Sequence, residues 1–259
     1  MAHEKDLSFR QRCFQVRLVI RNTRRYFYGK NRAGIFHDIA DHVCKKYITN
    51  SKIIGLGSGS TVSAVLTQMA RLIKADDKKF IPSSLQIKGY AESLGLEIAD
   101  ESKIPDVDFV IDGADQIDSN FNMIKGGGGA LLKEKILIDS TKQFVIICDS
   151  RKFVENFNIP IPIEVHRFAR VSVLNRLKNL GLLPRLRLLQ KGYPYITDNG
   201  NVIYDSEFQQ NYNVKELERR IKLVPGVMEV GLFTYMANSY YKINLDNTFT
   251  TSGPSDESF

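Results

Sequence analysis

Short apolar runs alternate with amphipathic stripes along the first part of the chain. The apolar runs predict strands at residues 48–54, 80–84, 107–111 and 144–148. Helical spacing of apolar residues predicts helices at residues 35–47, 62–74, 85–94 and 130–138. A strand that is apolar throughout is expected where a sheet is covered on both faces. The repeated strand–helix units therefore predict an α/β fold with a doubly wound, Rossmann-like parallel sheet.

The pattern changes at residues 159–163, where Pro160 and Pro162 indicate a domain boundary. Beyond it, helices are predicted at residues 168–180 and 214–223, and strands at 185–189, 195–197, 202–204 and 227–233. Asn199 and Gly200 stand between two of these strands, which is a strong hairpin signal. We expect a smaller α+β, ferredoxin-like domain at residues 161–229, inserted into a Rossmann-like domain of residues 35–160 and about 230–248. The polar residues 249–259 are predicted to form a disordered tail.

The charge of the chain is concentrated at one end. The 259 residues carry a formal charge of +7, which by itself would suggest a nucleic-acid partner. Nine of the 36 basic residues and two of the 29 acidic ones lie in residues 1–34, so this head carries the whole net charge. The remainder is neutral, and we expect no nucleic-acid partner.

The basic head, residues 1–34, has three interpretations. It contains no acid after Asp6, and its arginines line one side of an apolar stripe. A transit peptide, a surface helix on anionic lipid and a solvated extension are all compatible with this pattern. Glu4, Asp6 and the single serine argue against a transit peptide. We expect a cytoplasmic protein, with organelle targeting through the head as the alternative, and no membrane partner because no apolar stretch is long enough to span a bilayer.

Cysteine and histidine give no sign of a bound metal. Cys13, Cys44 and Cys148 show no Cys-x-x-Cys spacing, and an odd count favours reduced thiols. Cys148 falls in a predicted buried strand and is expected to be a core residue. The histidines have no ligand-like spacing with cysteine or acid; they are His3, His37, His42 and His166. We expect neither a metal nor a cofactor.

Two carboxylates follow the predicted strand at residues 107–111, where ligands bind in parallel sheets. Asp112 and Asp115 stand there, followed by Lys125, a glycine run at residues 126–129 and then Glu134 on the next predicted helix. Glycines allow close backbone approach, with N–H groups free to face an anion, and lysine adds a positive charge. A carboxylate with a tuned pKa could remove a proton next to a carbonyl. The alternative is that both aspartates cap a turn and the glycine run is a flexible loop.

A second glycine-rich loop, residues 55–61, lies between a predicted strand and a helix, which is an anion-binding arrangement. A P-loop is excluded because no Gly-Lys-Ser/Thr sequence follows. A dinucleotide site is weakened because Ser60 stands where its third glycine belongs, although Asp76 lies near the position of a ribose-binding acid. The third interpretation is a sugar-phosphate clamp formed by Ser58, Ser60, Thr61 and backbone N–H groups. Lys152, just past the strand at 144–148, is either solvated or directed into the same crevice.

Together these motifs resemble the ribose-5-phosphate isomerase A family. Its Asp-Gly-Ala-Asp-Glu, Lys-Gly-Gly-Gly and Glu-Lys motifs correspond to residues 112–116, 125–129 and 134–135, with a glutamine at position 116. The likeness extends from about residue 35 to about residue 244. The family also has Gly-Ser/Thr-Gly-Ser-Thr where residues 57–61 stand. Its Asp-x-x-Lys pattern, in which the lysine contacts substrate, matches residues 149–152.

The resemblance implies reversible isomerisation of D-ribose 5-phosphate and D-ribulose 5-phosphate through an enediolate, in the non-oxidative pentose phosphate pathway. Glu134 would be the base, Lys125 and glycine N–H groups would stabilise the enediolate, and Asp112 and Asp115 would assist ring opening. The family associates through its smaller domain, which implies a homodimer or homotetramer. The implied catalytic residues are Glu134, Asp112, Asp115 and Lys125. The implied substrate-binding residues are Ser58, Gly59, Ser60, Thr61, Asp112, Gly113, Ala114, Asp115, Lys125, Gly126, Gly127, Gly128 and Lys152.

Three positions depart from the family pattern. Gln116 replaces a glutamate, His37 stands where a phosphate-contacting lysine is common, and Arg185 stands where an acid is expected. Two rival functions also remain open. One is a sugar-phosphate sensor, although the 34-residue head is short for a DNA-binding helix-turn-helix. The other is a related sugar-phosphate deaminase or an acyl-coenzyme A transferase, neither of which has the joint pattern of Asp112, Lys125 and Glu134.

Overall fold

A computed structural model of the chain describes residues 33–73, 77–100, 106–208 and 213–253. Of the basic head, only residues 33 and 34 are described, so its three interpretations lie outside the described residues. Cys13 and Asp76 also lie outside them. Within the described residues, no helix combines the length and the apolar character needed to cross a membrane.

The α-helices are α1 (Ala33–Val43), α2 (Ser60–Leu72), α3 (Leu85–Ser93), α4 (Leu131–Asp139), α5 (Arg170–Asn179) and α6 (Val214–Lys222). The strands are β1 (Ile53–Leu56), β2 (Lys79–Pro82), β3 (Phe109–Asp112), β4 (Gln116–Ile117), β5 (Met123–Ile124), β6 (Phe144–Asp149), β7 (Ile161–Val165), β8 (Leu183–Leu186), β9 (Val202–Glu207), β10 (Val227–Val230), β11 (Leu232–Phe233), β12 (Ser239–Ile243) and β13 (Phe249–Ser252). A π-helical turn at Cys44–Ile48 extends α1.

The main sheet is buried on both faces. Its strand order is β13-β12-β6-β3-β1-β2, and every neighbouring pair is parallel except β12 and β13. In β3, Phe109 and Ile111 pack with α1, α2 and α3, whereas Val110 packs with α4 on the opposite face. Because alternate strand residues face opposite sides, a strand between two helix layers must be apolar throughout. The predicted doubly wound sheet is confirmed.

The strand order reverses at β1, which pairs with β2 on one side and β3 on the other. Such a reversal opens a crevice at the carboxyl ends of the strands, because the connections leave in opposite directions. Just past β1, the Gly57 N–H donates to the Ile111 carbonyl at 2.8 Å. The loop after β1 and the aspartate at the end of β3 therefore lie side by side.

Residues 161–230 form a ferredoxin-like unit. Its elements run β7–α5–β8–β9–α6–β10, and its antiparallel sheet has the order β10-β7-β9-β8. This βαββαβ order is ferredoxin-like, as predicted, but its first strand, β7, was not predicted, because the prolines at residues 160 and 162 were interpreted as a domain boundary. Its elements span residues 161–230, and we retain residues 161–229 as the proposed domain boundaries.

Four local predictions are wrong. The strand predicted at residues 48–54 begins only at Ile53, because a π-helical turn at Cys44–Ile48 extends α1. Residues 195–197 make only an isolated bridge from Ile196 to Val202, because the hairpin there is irregular. The single strand predicted at 227–233 is two strands in different sheets, divided at Gly231. The predicted tail at 249–259 is wrong for Phe249–Ser252, which forms β13. As an edge strand, β13 is largely solvated and needs few apolar residues. The tail prediction for residues 254–259 lies outside the described residues.

Candidate active site

A lysine lies between two buried carboxylates at the carboxyl end of the main sheet. Asp112 ends β3, Lys125 follows β5, and Glu134 lies in the first turn of α4. The Lys125 Nζ is 2.8 Å from Asp112 Oδ2 and 3.3 Å from Glu134 Oε2. It also donates to the Gly113 carbonyl at 2.5 Å. The structure thus brings together three of the four predicted catalytic residues in direct contact.

Burial sets the charge states of this cluster. Asp112, Lys125 and Glu134 are 0%, 2% and 5% exposed. Burial and the nearby charge of Asp112 raise the pKa of Glu134 to about 7, although Lys125 opposes the shift. Burial likewise raises the pKa of Asp112 against the opposing effect of Lys125. For Lys125, burial would lower the pKa, but the two carboxylates outweigh it and raise the pKa above that of an ordinary lysine. The cluster therefore contains a charged lysine and a carboxylate that can exchange a proton near neutral pH.

Asp115, the fourth predicted catalytic residue, contacts the glycine run (residues 126–129). Its Oδ2 accepts from the Gly127 N–H at 2.6 Å, and the Gly129 N–H donates to the Gly126 carbonyl at 2.9 Å. The expectation that the glycine N–H groups are free is therefore wrong for these two. The Gly127 N–H is bound by the Asp115 carboxylate, and the Gly129 N–H closes a tight turn within the run.

Two glycines are required by close contacts rather than by flexibility. A Cβ on Gly57 would overlap the carboxyl group of Asp112, and a Cβ on Gly129 would overlap the Tyr195 side chain. Gly129 also has φ of 83°, a backbone conformation that residues with a Cβ rarely adopt. Both positions keep space for groups of the site.

The loop at residues 55–61 leads into the N-terminus of α2 and contacts the N-terminus of α3. Gly59, with φ of 102°, precedes α2, and Ser60 and Thr61 form its first turn. The Ser58 hydroxyl bonds to those of Ser83 at 2.8 Å and Ser84 at 2.7 Å, and Ser84 caps α3. Helix N-termini favour anions through their unpaired N–H groups and dipoles. The arrangement suits a phosphate, which is the third of the interpretations described above. The contacts of Ser83 and Ser84 with the loop were not predicted.

Lys152 lies at the same edge of the sheet. It ends a short 3₁₀ turn after β6, and its Nζ donates to the Ala114 carbonyl at 2.6 Å. Of its two interpretations, the structure supports the one in which the lysine faces the crevice. Gly113 and Ala114 thus each direct a carbonyl to a lysine ammonium.

Residues of the smaller domain complete the site, and sequence reasoning missed them. Arg187 donates to the carbonyls of Gly126 at 2.9 Å and Gly127 at 3.0 Å, and the Tyr195 hydroxyl donates to that of Gly128 at 2.9 Å. Asp198 accepts from the Leu85 N–H, the first of α3, at 2.8 Å. Each partner is at least 60 residues away, so no local pattern could have revealed these contacts.

The three departures from the family pattern lie apart from the carboxylate–lysine cluster. Gln116 is buried and forms two hydrogen bonds with Asn158. In one of them the Gln116 amide nitrogen is the donor, and an ionised glutamate has no such donor. Arg185 is exposed and pairs with Glu207 at 3.3 Å. His37 is exposed on α1.

A family model described as ribose 5-phosphate isomerase A (phosphoriboisomerase A) matches residues 79–245. The chain belongs to the ribose-5-phosphate isomerase A family. The ribose-5-phosphate isomerase of Schizosaccharomyces pombe is 40% identical over 222 residues, which cover 83% of this chain and 81% of that protein.

Solved structures of the family have the same fold. The ribose 5-phosphate isomerase of Plasmodium falciparum superposes with a TM-score of 0.79 at 31% identity, covering 86% of this chain and 100% of that chain. A D-ribose-5-phosphate isomerase in complex with phospho-erythronic acid gives a TM-score of 0.78 at 30% identity, covering 86% and 99%. Membership of the family and the α/β fold class with its smaller second domain are thus both confirmed.

Proposed function

We infer that the chain is an isomerase that interconverts D-ribose 5-phosphate and D-ribulose 5-phosphate. Family membership identifies the reaction. The observation that carries it in this molecule is Glu134, a buried carboxylate with a pKa raised to about 7, beside the Lys125 ammonium. An aldose–ketose isomerase needs such a base, because the reaction moves a proton between neighbouring carbons.

We propose Glu134 as that base. It would remove the C2 proton of the open-chain aldose, leaving an enediolate with its negative charge on the oxygens of C1 and C2. Returning the proton to C1, while the hydroxyl proton of O2 passes to O1, gives the ketose. A base with a pKa near the working pH both accepts and returns a proton efficiently, so the same carboxylate can serve both directions.

We propose that Lys125 and the backbone N–H groups of the glycine run stabilise the negative charge of the enediolate. Fixed donors in a dry site stabilise developing charge without reorganising at the moment of reaction. The raised pKa of Lys125 keeps its ammonium charged near neutral pH. Asp112 and Asp115 border the same space and would hold sugar hydroxyls and assist ring opening.

The other end of the substrate would lie in the loop at residues 57–61. Ser60 and Thr61 begin α2, and Ser58 is braced by Ser83 and Ser84. A phosphate dianion suits two adjacent helix N-termini, and Lys152 adds a positive charge at the crevice edge. The phospho-erythronic acid bound to a solved relative also carries a phosphate.

A coupled spectrophotometric assay with ribose 5-phosphate and no added metal tests the function. Conversion to ribulose 5-phosphate, with transfer of solvent deuterium to the product in D₂O, is the expected result. Release of ammonia from glucosamine 6-phosphate would instead favour the deaminase. Binding of ribose 5-phosphate without turnover would favour the sensor.

We propose that the chain assembles as a homodimer or homotetramer through the smaller domain. Three large side chains near its hairpin are more than half exposed: Leu188 at 53%, Leu189 at 51% and Tyr193 at 67%. Exposed apolar patches mark interaction surfaces. Light scattering coupled to size-exclusion chromatography measures the assembly, and Tyr193→Glu should shift it towards monomer; a monomeric wild type would reject the proposal.

We also propose that the enzyme works in the cytoplasm, since Glu4 and Asp6 are unusual in a transit peptide. Residues 1–34 fused to a fluorescent protein should stay diffuse in a eukaryotic cell. Accumulation of the fusion in an organelle would establish the targeting alternative.

A further inference from the structure

Arg187 joins the smaller domain to the glycine run. It stands just past β8, and its side chain is only 15% exposed. One edge of the guanidinium forms a two-point pair with Asp205 on β9, at 2.8 Å from Nε to Oδ2 and 2.5 Å from Nη2 to Oδ1. The remaining nitrogen, Nη1, donates to the carbonyls of Gly126 and Gly127. Asp205 thus holds the guanidinium plane while Nη1 holds the backbone.

Holding these two carbonyls also determines where the next two N–H groups point. The peptide unit is planar and trans, so its N–H points away from its C=O. With the Gly126 carbonyl on Arg187, the Gly127 N–H faces the other way and meets Asp115 Oδ2 at 2.6 Å. With the Gly127 carbonyl on the same nitrogen, the Gly128 N–H likewise points away from Arg187.

The glycine run needs such external support. Glycine has more accessible backbone conformations than any other residue, so the turn bond from the Gly129 N–H to the Gly126 carbonyl constrains the run only weakly. The Tyr195 hydroxyl holds the third carbonyl, that of Gly128, and its ring lies 5.8 Å from the Arg187 guanidinium. A lysine at 187 could not reproduce the arrangement, because it lacks the planar fork that meets Asp205 and two carbonyls at once.

We propose that Arg187, held by Asp205, is a positioning residue of the isomerase. It orients the peptide groups of the glycine run so that the Gly127 N–H holds Asp115 and the Gly128 N–H faces the enediolate. This inference rests on the function proposed above. It assigns to the smaller domain a role in the chemical step, in addition to any role in assembly.

The test compares Arg187→Met with Arg185→Met. Arg185 lies on β8, two residues earlier, and pairs with Glu207 on the same neighbouring strand, but it is exposed. Misplacing catalytic groups by about 1 Å can cost about 100-fold in rate, so Arg187→Met should lower kcat by about 10- to 100-fold. KM should change by less than about threefold, because the phosphate loop is untouched. Arg185→Met should keep wild-type kcat, and Arg187→Lys should recover only part of the loss.

Hydrogen exchange separates this inference from the proposed function. In the unliganded protein, the peptide covering residues 125–131 should exchange faster in Arg187→Met and remain unchanged in Arg185→Met. This readout holds whether or not the wild type turns over ribose 5-phosphate. If Arg187→Met fails to fold, Asp205→Asn replaces it and should show the same changes to a smaller degree. Equal kcat values and equal exchange for the Arg187 and Arg185 variants would overturn the proposal.

Discussion

At the scale of single residues, the site depends on one ammonium shared by two buried carboxylates. Lys125 cannot fully compensate both Asp112 and Glu134, and burial disfavours charge on either acid. The consequence is a carboxylate that holds its proton less firmly than an alcohol but more firmly than an exposed glutamate. This is the condition that proton transfer between carbons requires.

Glu134→Gln should lower kcat by about 10²–10⁴, the usual contribution of a positioned base. The amide keeps the shape of the side chain but cannot accept the substrate proton, so KM should change little. Steady-state kinetics measure both. Asp139→Asn, on the exposed end of the same helix, is the matched control and should retain wild-type kcat. Near wild-type turnover by Glu134→Gln would remove Glu134 from the mechanism.

The raised pKa of Glu134 predicts the direction of the pH dependence. The base must be deprotonated, so kcat/KM should fall about tenfold per pH unit below its pKa of about 7. A pH–rate profile in constant ionic strength measures this limb. Competition by inorganic phosphate over the same range controls for titration of the phosphate group. A flat profile between about pH 5 and pH 8 would contradict the assignment.

Gly57→Ala should abolish most activity although it replaces no catalytic side chain. Its Cβ would overlap the Asp112 carboxyl and displace it from Lys125. We expect a kcat loss of about 100-fold or more, since small displacements of catalytic groups are costly. Gly89→Ala, inside α3 with nothing within 4 Å of its added Cβ, is the control. It should keep full activity and gain about 0.5–1 kcal/mol of stability. Equal kcat for the two variants would show that this contact is unimportant.

At the scale of elements, one hairpin tip links the smaller domain to the phosphate loop. Glu164 on β7 is fully buried, and its Oε1 accepts from Thr197 at 2.8 Å, Asn199 at 3.0 Å and Asn201 at 2.9 Å. Between these residues, Asp198 reaches across to the first N–H of α3. The buried carboxylate therefore orders a turn whose other side supports the helix next to Ser58.

Glu164→Leu should destabilise the fold by about 1–3 kcal/mol, because it leaves the hairpin donors without their acceptor. Glu164→Gln keeps one acceptor oxygen and should cost less. Urea unfolding monitored by circular dichroism measures both. Glu207→Gln, on the exposed side of β9, should stay within about 0.5 kcal/mol of the wild type. If Glu164→Leu matched that control, the hairpin would not depend on Glu164.

At the scale of the whole molecule, the chain returns to the main sheet after completing the smaller domain. β12 lies between β6 and β13, with Tyr240 and Tyr241 fully buried on opposite faces. β13 then protects the edge of β12, and Phe249 contacts Tyr241 with ring centroids 5.8 Å apart. Residues 249–252 are thus part of the main sheet.

Deleting residues 249–259 should therefore destabilise the protein, whereas deleting residues 254–259 should not. Loss of β13 removes its hydrogen bonds to β12 and the packing of Phe249, which should lower the free energy of unfolding by about 2 kcal/mol. For a chain of this size, that corresponds to a fall in Tm of about 4–8 °C. Differential scanning fluorimetry measures it. Equal Tm values for the two deletions would restore the original prediction of a tail beginning at residue 249.

The local pattern was sufficient for much of the fold. β3 and β6 were predicted because strands between two helix layers are apolar on both faces. β12 was missed because its buried tyrosines stand among polar residues, and β13 because an edge strand needs little apolar sequence. Which strand lies at an edge is a property of the sheet and not of the strand.

The amino-acid sequence alone determined the alternation of strands and helices and the identity of the acids, lysine and glycines, because residue type and short-range spacing encode them. The tertiary structure decided how those residues act. It placed Lys125 between Asp112 and Glu134, and burial there raised the pKa of Glu134. It also brought Arg187 and Tyr195 onto the glycine run. Such contacts depend on the strand order and on the packing of the smaller domain, which join residues far apart in the chain.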